Sequence, residues 1–165
     1  MNIWNSEKWK TLYSEPGQKG GISVHYEKGV NSEVKASIRR MVSWLRKEYL
    51  FPIKVNVYVK ESTFVRATDG DMVYGFFYWP YTRNEKAYGK GKPYIKMGTG
   101  DYFELVEEIG RDNAIATILR SLLYTLTHYF QWLNGKELLP RNLERQAVRC
   151  SDRILDDYAE IVEHP

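Results

Sequence analysis

A single cysteine, Cys150, stands in 165 residues, so no internal disulfide can form and a reducing, cytoplasmic setting is the expectation. No apolar run approaches the ~20 residues of a membrane-spanning helix, and the start, MNIWNSEKWK, lacks the apolar stretch of a secretory leader. The sequence therefore predicts no membrane partner. Charge of one sign is also scarce: 24 Lys and Arg against 21 Asp and Glu leave +3, which argues against a dedicated nucleic-acid binder. Repeats, low-complexity tracts and interdomain linkers are missing. What remains is one domain, 1–165, long enough to bury a core without metal or disulfide staples. Aromatic residues are abundant instead. Thirteen Tyr, 6 Phe and 5 Trp make up 15% of the chain, and such an excess either fills a core or lines a cleft.

Periodicity orders the elements. Residues 1–20 hold Trp4, Trp9, Leu12 and Tyr13 at the spacing of a short helix or lid, and Pro16, Gly17, Gly20 and Gly21 end it. Ile22, Val24 and Tyr26 alternate with polar residues, as in a strand with one buried face. Asn31 or Ser32 caps a helix striped by Val34, Ile38, Met41, Val42, Leu45 and Tyr49. Ile53, Val55, Val57 and Val59, alternating with Lys54, Asn56, Tyr58 and Lys60, mark the clearest strand. An aromatic run over 72–79, stopped by Pro80, reads as an edge strand, and 94–97 as a fourth strand. From 101 the period becomes helical. Asp101 caps one segment that Gly110 stops, and Asp112 or Asn113 caps a long helix closed by Asn134 and Gly135. Pro140 opens a last helix faced by Leu143, Ala147, Cys150, Ile154, Tyr158 and Ile161. The predicted fold is α+β: an N-terminal segment (1–20), a helix and sheet region (22–98) and a helical region (101–163), with a small mixed sheet of about four strands packed on helices.

The segment LLYTLTHYFQWLNG (122–135), followed by ERQA (144–147), resembles the active-site helix of the zincin metallopeptidases, specifically small gluzincin-like domains of bacterial and phage-borne proteins. The resemblance covers 112–163 closely, and 22–98 only in the order of elements. It implies a helix carrying His-Glu-x-x-His, a third zinc ligand from a following helix, and an aromatic-rich edge strand above the cleft. His128 stands at the second His, and Glu144 at the third ligand.

The departures from that motif bear on the chemistry. Residues four apart share one helix face, which lets two His bind one Zn²⁺. Here the first position is Tyr124, whose phenol, with a reference pKa near 10, is a poor ligand at neutral pH. The next position, which in the family holds the Glu that deprotonates zinc-bound water, is Thr125, and a hydroxyl has no useful basicity there. His128 and Glu144 fall short of three protein ligands. Read without the resemblance, His128 on a half-apolar helix is a hydrogen-bonded boundary residue, and Glu144 is a favourable charge in a first turn. Ser121, Tyr124, Thr125, His128 and Gln131 share a face, predicting a hydrogen-bonded plug in which the Tyr124 hydroxyl reaches Glu144 or His128.

Two further segments bear on partners. In GFFYWPY (75–81), Phe77 and Trp79 fall on one side of the strand and Phe76 and Tyr78 on the other. One pair is core. The other is expected either to line a substrate groove or to be covered by helices. The loop 82–96 carries Arg83, Lys86, Lys90, Lys92 and Lys96 against Glu85, beside Tyr88 and Tyr94. It is either a solvated loop that protects an edge strand, or a surface for an acidic protein face or single-stranded nucleic acid.

The expectation is a degenerate zincin-fold pseudoenzyme: no zinc or other cofactor, no catalytic residue, and a groove of Phe76, Tyr78, Tyr124, His128, Gln131, Trp132 and Glu144 that binds a protein or peptide. The alternative is an active zinc metallopeptidase using His128, Glu144 and a third ligand that the sequence does not identify.

Overall fold

The computed structural model describes residues 3–5, 21–79, 92–135 and 140–163. Trp9, the loop residues Arg83, Lys86, Tyr88 and Lys90, and His164 lie outside them. Strand β1 (Ile22–Tyr26) leads into helix α1 (Ser32–Glu48), which returns the chain to β2 (Val55–Lys60). Two short strands, β3 (Val65–Arg66) and β4 (Met72–Val73), precede β5 (Gly75–Tyr78) and β6 (Tyr94–Gly98). Helices α2 (Tyr102–Ile109), α3 (Arg111–Leu133) and α4 (Pro140–Glu163) complete the chain. The four-stranded sheet has the order β1-β2-β6-β5. β1, β2 and β6 are parallel, and β5 is antiparallel to β6 at the edge.

The expected α+β class and four-strand mixed sheet are both present. The aromatic run is broken, however: Met72 and Val73 pair with Arg66 and Val65 in a separate two-stranded ribbon, and only Gly75–Tyr78 joins the main sheet. Val65 and Arg66 are too short a segment to show any period, so β3 has no signature in the sequence.

Alternation sets the layers. Val55, Val57 and Val59 are fully buried while Asn56, Tyr58 and Lys60 keep partial exposure. The buried row continues through Ile95, Met97 and Phe77 and meets Ile38, Met41 and Leu45 of α1 and Leu122, Leu123, Leu126, Tyr129 and Phe130 of α3. Helix α3 is the centre of the molecule, packing on α1, α2, α4, β5 and β6. Tyr129 ties it to the sheet, its hydroxyl accepting from the Ile53 amide at 3.2 Å and donating to the Ile53 carbonyl.

Helix ends follow the local chemistry in part. Asn31 caps α1, its side chain accepting from the amides of Glu33 and Val34. Asp101 does not cap α2 with its side chain. Its backbone angles, φ −86° and ψ 3°, differ from the extended conformation that aims a capping oxygen. Neither Asp112 nor Asn113 caps α3. The helix starts at Arg111, directly after Gly110 at φ +85°, a conformation that favours glycine and lets α2 turn into α3 through one residue. Asn113 instead donates from Nδ2 to the Ile109 carbonyl at 2.9 Å.

The N-terminal residues 3–5 form a 3₁₀ turn, and Trp4 within it is fully buried. Its ring packs on Phe130 and Tyr49, and its indole N–H donates to Thr127 Oγ1 at 3.1 Å. Trp4 is thus a core residue on the Thr127 side of α3. Among the described residues, no helix is long and apolar enough to cross a membrane.

Candidate functional site

Residues 124, 125 and 128 sit on the stretch of α3 that passes beneath β5. Thr125 is almost fully buried, and its hydroxyl donates back to the carbonyls of Leu122 at 2.8 Å and Ser121 at 3.1 Å. Such i−3 and i−4 bonding is the ordinary fate of a helical threonine hydroxyl, and here it leaves the methyl toward β5. A Cβ placed on Gly75 would lie 3.5 Å from Thr125 Cγ2 and 3.2 Å from the Lys96 carbonyl oxygen. A side chain at Gly75 would thus be crowded by the Lys96 carbonyl and would touch the Thr125 methyl at ordinary contact distance.

Tyr124 meets the His128 ring edge-on, centroids 4.8 Å apart at 86°. The hydrogen bond predicted from its hydroxyl to His128 or Glu144 is not formed. One helical turn brings the two rings side by side, and the contact passes through the ring edge.

His128 has a polar neighbour on each ring nitrogen. Its Nδ1 lies 2.7 Å from Gln131 Oε1 and its Nε2 lies 3.7 Å from Glu144 Oε1. Gln131 in turn donates from Nε2 to the Leu143 carbonyl at 2.9 Å and to Gln146 Oε1 at 3.0 Å. With its amide nitrogen committed to α4, Gln131 presents an acceptor to His128, so Nδ1 carries the proton. Burial lowers the His128 pKa, and the Gln131 hydrogen bond partly opposes that shift. The imidazole is neutral at pH 7.

Tyr124 and Thr125 line a cleft of about 530 Å³ with Tyr74, Gly75, Ser121 and Val148. It opens between the β5 edge and helices α2, α3 and α4. Asp101 also lines it, and burial pushes its carboxyl above the ordinary aspartate range. Tyr74, Asp101 and Val148 were not read as site residues from the sequence. Gly75, a glycine inside an aromatic run, was the one available signal of a close approach.

The predicted groove set divides in three. Tyr124, His128, Gln131 and Glu144 come together at the α3–α4 contact. Trp132, partly buried, packs at the edge of the core against Phe77 and Tyr129. Phe76 and Tyr78 lie across the sheet from α3, both against Tyr94. They cannot line one groove with Tyr124, because strand alternation sends Phe77 to the helices and its neighbours to the far side.

The donors present do not fit a catalytic zinc site. Position 124 offers a phenol, position 125 a hydroxyl bonded to its own helix, and His128 and Glu144 are two ligands where three are needed. Among the described residues, no group of three or more His, Cys, Asp and Glu could hold a metal ion. No family model, characterised protein or solved structure matches the chain.

Proposed function

We propose that the chain is a non-hydrolytic binding module on a degenerate zincin-like scaffold, and that the cleft between β5 and α3 holds an extended protein or peptide segment. The observation that carries this is the pair Tyr124 and Thr125, which line the cleft at the two helix positions where a metallopeptidase needs a ligand and a base. Neither side chain activates water at neutral pH. The cleft nevertheless persists, with apolar and small side chains around it, and β5 is an edge strand in the described sheet. An edge strand offers main-chain groups to an incoming strand, and an adjoining apolar cleft receives its side chains.

Two measurements test this. The chain purified without chelator is expected to carry no stoichiometric zinc and to cleave no peptide. Tyr124→His combined with Thr125→Glu is expected to gain zinc binding through His128 and Glu144. Near-stoichiometric zinc in the unaltered chain, with hydrolysis lost on His128→Ala, defeats the proposal in favour of an active metallopeptidase. For the positive half, extended peptides selected on the chain are expected to lose affinity when Ser121→Trp fills the cleft. Selected peptides that bind the Ser121→Trp protein equally well place the binding surface elsewhere.

A further inference from the structure

The sheet has a second face on which no helix among the described residues packs; only the 62–66 segment approaches it, at the Gly98 end of β6. Register fixes its composition. One row crosses the sheet as Ser23, Asn56, Tyr94 and Tyr78, and the next as His25, Tyr58, Lys96 and Phe76. The opposite rows, through Val57, Ile95 and Phe77, are the ones buried against the helices. On the open side, the aromatic rings make contact from β1 to β5. His25 stacks on Tyr58 with centroids 5.1 Å apart, Tyr58 lies 6.0 Å from Tyr94, and Tyr94 lies 4.8 Å from Tyr78 and 6.0 Å from Phe76. All five keep partial or full exposure.

Cations accompany the rings. Lys96 Nζ sits 5.6 Å from the Tyr94 ring centroid. Lys54 and Lys92 precede β2 and β6 at positions of the same alternation. Lys60 is the one lysine of this set met by a carboxylate, Glu27, at 3.5 Å. Lysines thus stand beside a band of aromatic rings. This combination discriminates between occupants. A neutral sugar needs the rings but not the lysines, and a protein partner of ordinary composition gains little from facing uncompensated lysines. A single-stranded nucleic acid uses both: bases stack on aromatic side chains while phosphates meet the cations.

We propose that this open sheet face binds single-stranded nucleic acid, with Tyr58, Tyr94 and Tyr78 as stacking residues and Lys54, Lys92 and Lys96 as phosphate contacts. Three inter-strand spacings of ~4.8 Å give the band room for about two or three bases. Asn56, held by His25 Nε2 at 3.2 Å from its Oδ1, stands in the same row as Tyr94 with amide groups able to reach a base edge. The face lies across the sheet from the cleft, so the proposal is independent of the one above. The weak overall charge excludes a dedicated duplex binder; stacking depends less on net charge.

The test is a fluorescence-anisotropy titration of the full chain with labelled short oligo-dT and oligo-U, which also separates DNA from RNA, at about 50 and 200 mM salt. Binding that weakens with salt is expected. Tyr94→Ala is expected to cost about tenfold or more and Tyr94→Phe to retain affinity within about twofold, since the ring does the stacking. Lys96→Glu, a change to a partly exposed side chain, is expected to weaken binding and reduce the salt slope by about one, and it keeps the test decisive if Tyr94→Ala fails to fold. The proposal is overturned by absence of binding at about 100 µM protein in low salt, or by equal affinity for duplex. It is equally overturned by folded Tyr58→Ala and Lys96→Glu proteins of unchanged affinity, or by a neutral oligosaccharide that binds in place of the oligonucleotide.

Discussion

His128 stands between a hydrogen-bonding amide and a carboxylate, and its burial has a consequence for pH. Burial lowers its pKa, so the folded chain resists a proton that the unfolded chain accepts near pH 6.5. This contribution to stability is full above about pH 6.5 and is lost as the pH falls toward the depressed folded value. Urea denaturation at pH 7 and pH 5 is expected to show a larger drop in midpoint for the unaltered chain than for His128→Gln, whose side chain does not titrate. An identical drop in the two proteins contradicts the assignment. The residue types at these positions were legible in the sequence: a phenol at Tyr124, a hydroxyl at Thr125, an imidazole at His128 and a carboxylate at Glu144. Their contacts were not. Tyr124 and His128 meet as a T-shaped pair, because hydrogen-bond geometry depends on side-chain rotamers, and no spacing rule fixes those.

At the scale of elements, alternation and helical period placed β1, α1, β2, β6, α3 and α4 correctly, since each buries one face over several residues and so writes its period into the sequence. The two short strands β3 and β4 carry no such record. The α2–α3 boundary also departed from expectation, because a single glycine joins the helices and leaves no room for a separate capping residue. Gly75 is the element-scale hinge of the candidate site. Gly75→Val is expected to destabilise the chain by about 1–3 kcal/mol, the usual cost of forcing atoms into a packed contact, because the new side chain meets the Lys96 carbonyl and the Thr125 methyl. Thermal unfolding with peptide binding in parallel checks this: the same change is expected to narrow the cleft and weaken peptide affinity. A variant as stable as the parent means that β5 shifts freely, which would remove the case for a preformed cleft.

For the whole molecule, packing the helices against one side of the sheet makes β2, β6 and α3 the shared interior. Their buried residues, among them Val57, Ile95 and Leu122, belong to one continuous core. Amide hydrogen exchange is expected to be slowest in these three elements, approaching the global unfolding free energy, and faster in the β3–β4 ribbon and at the end of α4, where Ile161 and Val162 are exposed. Protection in the ribbon equal to that of β2 would show that the ribbon unfolds only with the core.

The sequence by itself determined the mixed α+β class of the fold and the position of its central helix, because periodicity and residue chemistry are local properties. Tertiary structure alone decided which aromatics serve which purpose. Phe77 went to the interior and Trp132 to its rim, Phe76 and Tyr78 to the other face of the sheet, and Trp4 to the core beside Thr127. A strand's alternation says that two faces differ, but only the elements that pack against the sheet determine which face is covered.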